Sequence, residues 1–146
     1  MRILIHEYTK RYKRLIVISG TVNDFNHDGL ADENEITADR IKRSGVMAKI
    51  PTHIFAVLIR CSDMKWTADG HSCKDATQTR VLSFVLPNHP DDLNCLDVEE
   101  YLRTNTARVR DIELLTGLEF FTSRSRYPET VALKMRTYIQ NGIWST

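Results

Sequence analysis

His53-Ile54-Phe55-Ala56-Val57-Leu58-Ile59-Arg60-Cys61 is an almost unbroken apolar run of strand length, rich in β-branched residues, and it reads as a buried β-strand. Leu15-Ile16-Val17-Ile18-Ser19 upstream has the same character, and Gly20 is expected to end it. Downstream, Val81 to Leu86 forms another such run, stopped by Pro87. The core is therefore a sheet. Helical patterns surround it: Ile3 to Lys13 with Ile5, Tyr8 and Tyr12 at roughly helical spacing, then Val98 to Arg103 and Thr106 to Thr116, where Val109, Ile112 and Leu115 share a face. Gly117 suits a C-cap, Leu118 to Phe121 a short strand, and Pro128 to Tyr138 a closing helix with proline near its first turn. No repeat, linker or low-complexity tract interrupts the order. The expected architecture is α+β in one piece, an antiparallel or mixed sheet flanked by helices.

A chain of 146 residues with 42% hydrophobic content can bury a real core as one domain. Twenty basic residues against nineteen acidic ones leave a formal charge of +1, so no global field draws the chain to nucleic acid or an anionic membrane. The opening Met1-Arg2-Ile3-Leu4-Ile5-His6-Glu7 has too short an apolar run for a signal peptide or a membrane span. Taken literally, that keeps the chain in the cytosol. The three cysteines point the other way, because an odd count suggests a partner elsewhere.

The sharpest chemical feature is Asp24-Phe25-Asn26-His27-Asp28-Gly29-Leu30-Ala31-Asp32-Glu33-Asn34-Glu35, which fits the whole pattern D-x-[DN]-x-[DN]-G-x5-E. Calcium takes roughly six to eight oxygens, and alternate side chains of a curled loop can deliver them. Asp24, Asn26 and Asp28 would offer side-chain oxygens and Leu30 its carbonyl, with Asp32 binding directly or through water and Glu35 closing the shell. Gly29 permits the sharp turn. Carboxylates crowded this closely repel one another, and a divalent ion relieves the repulsion. The bland alternative is a solvated Asp-Gly turn. Since a strand and not a helix enters the loop, the ion is expected to be structural, without an opening switch.

Cys61 and Cys73 flank a short polar loop and could close as a disulfide across a hairpin-like excursion, or stay as two thiols in a reducing compartment. No cysteine or histidine spacing suits zinc. Asp69-Gly70-His71 invites a general-base reading but has no partner at defined spacing. His53, at the head of a strand, reads as a packed, hydrogen-bonded residue. Neither a nucleophile elbow nor a glycine-rich phosphate loop occurs. Arg103, Arg108 and Arg110 lie among Glu99, Asp111 and Glu113, which reads as a solvated, ion-paired helix face in preference to a phosphate patch. No catalytic residue is assigned.

Val17-Ile18-Ser19-Gly20, the Asp24 to Asp32 loop, Ile50-Pro51-Thr52-His53, Leu82 to Pro87 and above all Thr106 to Phe121 resemble the ectonucleotide pyrophosphatase/phosphodiesterases. The likeness runs from about Leu15 to Tyr138. It implies the C-terminal part of a nuclease-like domain, related in fold to the DNA/RNA non-specific endonucleases (ββα-metal) and catalytically silent. In that family a threonine nucleophile and two zinc ions sit in a separate upstream domain with no counterpart here. Zinc is thus expected only in that absent domain, and the partner of this segment is the phosphodiesterase domain of the same polypeptide. The resemblance also implies a secreted or cell-surface location, with no small-molecule substrate, nucleic acid or membrane contact for this segment.

Residue by residue, the likeness carries over calcium ligation at Asp24, Asn26, Asp28, the Leu30 carbonyl and Asp32. The chain looks one residue shorter than the family pattern before Glu35-Ile36-Thr37, which sets Glu35 apart. Cys61 and Cys73 match a local disulfide pair, while Cys95 matches a cysteine bonded to a more N-terminal segment, as expected of a truncated domain spanning 1–146. Thr21 and Asn23 replace residues that are usually proline and aromatic. The other readings are the back half of an active secreted nuclease, although the Asp-Arg-Gly-His motif of such enzymes is absent, and a small standalone calcium-binding module.

Overall fold

The computed structural model describes residues 1–33, 42, 50–68, 70–88, 97–139 and 141–144. In chain order these form α1 (Arg2–Tyr12), β1 (Ile16–Val22), β2 (His53–Arg60), β3 (Met64–Thr67), β4 (Gly70–Cys73), a 3-10 turn at Ala76–Gln78, β5 (Arg80–Pro87), α2 (Val98–Thr104), α3 (Val109–Thr116) and α4 (Glu129–Thr137). The architecture is α+β. Among the described residues every strand pairing is antiparallel: a three-stranded sheet in the order β1-β2-β5, and the small hairpin β3-β4.

The central position of β2 explains its composition. Phe55, Val57 and Ile59 face one core, with Val22, Val81, Val109 and Ile112 of α3, and Ala132 and Met135 of α4. Ala56 and Leu58 face the other, with Leu82, Phe84, Leu4 and Tyr8 of α1, and Leu102 of α2. A strand covered on both faces has no solvent side, so polar alternation disappears from its sequence. In the second core Tyr8 is fully buried and donates a hydrogen bond to the Trp144 carbonyl at 2.7 Å, and burial pushes its phenol up to about 12.

The two outer edges of the sheet differ. Along β5, Val85 N–H donates to Asn105 O and Ala107 N–H to Ser83 O, both at 3.0 Å, around an antiparallel bridge between Phe84 and Thr106. These bonds correct the expectation of a helix from Thr106. Residues 105–107 spend their backbone groups sealing the edge of β5, and α3 starts only at Val109. Along β1, Val17 and Ile18 stay 38% and 36% exposed, and among the described residues no further strand pairs with it.

Two more expectations change. Gly20 does not end β1; it sits opposite Phe55 within the ladder, where a Cβ would come within 2.7 Å of the Phe55 ring. The glycine makes room for a core aromatic lying across the strand. Leu118 to Phe121 is no strand either, because Phe120 and Phe121 both enter the same core, whereas strand geometry would send them to opposite faces. Phe121 manages this with a φ of 57°. Gly117 closes α3 with φ 70°, as its sequence position implies.

A disulfide joins Cys61 and Cys73 across the base of the β3-β4 excursion. Cys95 lies outside the described residues. No described helix is long and apolar enough to cross a membrane.

Candidate functional site

β1 delivers the chain into the acidic loop at Val22, which is 1% exposed. Thr52, just before β2, clamps this exit: its Oγ1 accepts from Asp24 N–H at 3.0 Å and donates to Val22 O at 3.1 Å, while its N–H donates to Val22 O at 2.9 Å. The loop then curls back through two left-handed residues, His27 with φ 60° and Gly29 with φ 78°. Histidine adopts that region less readily than glycine, so local hydrogen bonds help to hold it.

Those bonds converge on the acidic side chains. Asp24, 5% exposed, accepts from Asp28 N–H on Oδ1 (3.1 Å) and from Gly29 N–H on Oδ2 (3.2 Å). Asn26 Oδ1 also accepts from Asp28 N–H at 3.2 Å, and its amide donates to Asp28 Oδ2 at 3.0 Å. Asp28 Oδ1 accepts from Leu30 N–H at 2.9 Å. Asp32 Oδ2 accepts from Phe25 N–H at 2.7 Å, which closes the curl. Asp24, Asn26, Asp28, Leu30 and Asp32 therefore belong to one compact loop. Glu35 lies outside the described residues.

The donor set suits a hard divalent cation. Its side-chain donors are three carboxylates and one amide oxygen, with no sulfur or imidazole among Asp24, Asn26, Asp28 and Asp32. Asp32 Oδ1 is buried without a hydrogen-bond partner, a costly state for a carboxylate oxygen unless another group satisfies it. Among the described residues no lysine or arginine pairs with these carboxylates.

The loop also leans on α3. Ala31 N–H donates to Leu114 O at 2.8 Å, and Asp32 N–H to Asn23 O at 3.2 Å. One residue before Leu114 is a site the sequence reading missed. Glu113 is buried, 3% exposed, and does not lie on a solvated face. Arg136 of α4 grips its carboxylate at 2.7–2.9 Å, Arg110 donates at 3.1 Å and Phe120 N–H at 2.9 Å. Burial alone would raise the Glu113 carboxyl, but these donors outweigh it and hold the group below its ordinary value. The signal was present: Val109, Ile112 and Glu113 share the buried stripe of α3, where a charge needs partners. The other arginines do form the expected exposed pairs, Arg103 with Glu99 and Arg108 with Asp111 at 2.7 Å.

His71 and His53 are engaged locally. His71 meets the Trp66 ring edge-on at 4.5 Å, and His53 Nδ1 lies 2.9 Å from Thr52 Oγ1. Asp69 lies outside the described residues. Asp63 has a carboxylate oxygen within 4.8 Å of both Cys61 and Cys73, but sulfurs bonded to each other offer no thiolate to a metal.

No protein-family model matches the chain. It is 37% identical over 144 residues to the venom phosphodiesterase of Naja atra, covering 93% of this chain and 17% of that protein. The venom phosphodiesterase of Macrovipera lebetinus is 39% identical over 140 residues, covering 90% of this chain and 16% of the relative. Ectonucleotide pyrophosphatase/phosphodiesterase family member 3 of Bos taurus is 36% identical over 145 residues, covering 94% and 16%. The chain is homologous to one segment of the ectonucleotide pyrophosphatase/phosphodiesterases. It spans only 16–17% of the length of these relatives.

Proposed function

We propose that this chain is a non-catalytic, calcium-binding, nuclease-like segment of a secreted nucleotide pyrophosphatase/phosphodiesterase, supporting an upstream phosphodiesterase domain of the same polypeptide. The homology to a small part of much longer phosphodiesterases supports membership of a larger hydrolase. The relatives' names place them in venom and among ectoenzymes, which supports an extracellular location, and the Cys61–Cys73 disulfide suits that compartment. The sheet flanked by helices is compatible with a partial nuclease-like domain.

The observation that carries the calcium reading is the buried, unpartnered Asp32 Oδ1 inside a loop of carboxylates that no basic side chain among the described residues neutralises. Asp24, Asn26, Asp28, the Leu30 carbonyl, Asp32 and Glu35 would hold the ion. Calcium supplies, when bound, fixed positive charge that offsets the repulsion among these groups. The chain's own contribution is mechanical. Thr52 ties the loop entry to β2, and the Ala31–Leu114 hydrogen bond ties its exit to α3, so a rigid loop couples the sheet to the helical layer.

Thermal melting with calcium and with excess chelator tests the reading. At a hundredfold excess over Kd, calcium adds about 2.7 kcal/mol, and so raises Tm by about 5–10 °C. Asp28→Ala should remove most of that difference. A melting curve indifferent to chelator would reduce the loop to an ordinary turn.

A further inference from the structure

We infer that the cleft at the Arg60/Arg80 end of the main sheet is a binding site for a phosphate ester. The cavity has a volume of about 820 Å³, within the size range of small-molecule sites, and its walls include Arg60, Arg80, Arg103 and Lys134 but no carboxylate. In a chain with a formal charge of only +1, four cations on one cavity are not a consequence of composition.

The local geometry sharpens this. Arg60 and Arg80 are direct cross-strand partners in the β2-β5 ladder, so two like charges stand directly opposite each other on one face of the sheet. Such a pair is unfavourable on its own. Neither is neutralised by a carboxylate among the described residues: Arg60 lies over the rings of Tyr12 (4.1 Å) and Trp144 (4.6 Å), and Arg80 donates to the carbonyls of Thr77 and Thr79 at 3.3 Å. These contacts orient the guanidinium groups without cancelling their charge. Lys134 has no ion pair among the described residues, and only Arg103 shares its charge, with exposed Glu99. Two buried polar atoms on the same wall, Arg60 Nε and Thr79 Oγ1, have no hydrogen-bond partner, and Thr79 is only 6% exposed. An oxyanion satisfies this arrangement through charge-assisted hydrogen bonds, and Trp144 adds a ring surface for an aromatic substituent on the ester. The site lies apart from the calcium loop and does not depend on it.

Hydrogen exchange on the full polypeptide, with AMP and separately with inorganic phosphate, reads the cleft locally and ignores any second site. AMP is expected to slow exchange in residues 76–81 and 141–144, with phosphate doing so at higher concentration. Arg80 and Lys134 are exposed, so Arg80→Ala with Lys134→Ala should leave the fold intact and weaken the effect by about tenfold or more. Arg80→Lys with Lys134→Arg should retain it. Three results overturn the assignment: no local protection at millimolar AMP or phosphate, protection that survives the double alanine variant, or a cleft already protected without ligand because another part of the polypeptide fills it.

Discussion

Glu113 and the Asp24–Asp32 loop are two acidic sites touching the same turn of α3, and they resolve their charge in opposite ways. Glu113 is buried and carries its cations with it, Arg136 and Arg110, supplied by neighbouring helical positions. The loop gathers three described carboxylates, aims backbone N–H groups at them, and recruits no basic side chain among the described residues. An acidic cluster that brings its own arginines is finished when the chain folds. One that brings only dipoles leaves its negative charge uncompensated, and the proposed calcium ion supplies the missing cation.

The largest expected effect comes from breaking the finished site. Glu113→Ala leaves Arg136 without its buried partner and Phe120 N–H without an acceptor, and should cost about 3 kcal/mol by chemical denaturation, near the low end for a buried pair because both arginines reach solvent. The same variant sharpens the contrast. It should keep its calcium response, whereas Asp28→Ala, the next largest effect, should lose about 2–3 kcal/mol of calcium-dependent stability and little else. If Glu113→Ala also lost the calcium response, the two sites would be one unit joined through the Ala31–Leu114 hydrogen bond.

Acid probes the finished site. The folded Glu113 carboxyl titrates below its ordinary value of 4.5, so in acid the unfolded chain binds its proton first. The stabilisation is present above the unfolded pKa and is lost as pH falls through the lower, folded one. A denaturation midpoint followed downward from about pH 5 should therefore fall, and Glu113→Gln should flatten that fall. Asp111, held low by its hydrogen bonds from Arg108, adds a smaller slope of the same sign. The smallest effect is Arg108→Ala, which removes a solvent-screened surface pair and should leave the denaturation midpoint almost unchanged. A larger loss would mean that the Arg108 side chain does more than pair with Asp111 at the surface.

Local grammar in the sequence was enough for the three strands of the main sheet, the C-cap at Gly117 and the outline of the loop. The β2 run was readable because a strand buried on both faces has a continuous apolar signature. What escaped notice depended on contacts between distant segments. Gly20 looks like a terminator until Phe55 is placed across from it. Thr106 continues a helical pattern until Ser83 and Val85 claim the neighbouring backbone. Glu113 is an ordinary surface acid until Arg136, twenty-three residues later, returns beneath it. For the loop, the motif named the ligand candidates, but Thr52 and the unpartnered Asp32 oxygen needed coordinates.

The disulfide at the base of β3-β4 also bears on how fast the main sheet assembles. Arg60 and Arg80 pair at the mouth of the long connection between β2 and β5, twenty residue steps apart along the chain. The Cys61–Cys73 bond shortens that path to about nine steps, which lowers the entropy lost on closing it by about 0.7 kcal/mol. An oxidised chain would start its strand pairing with the excursion already folded out of the way, and should refold several times faster than its reduced form.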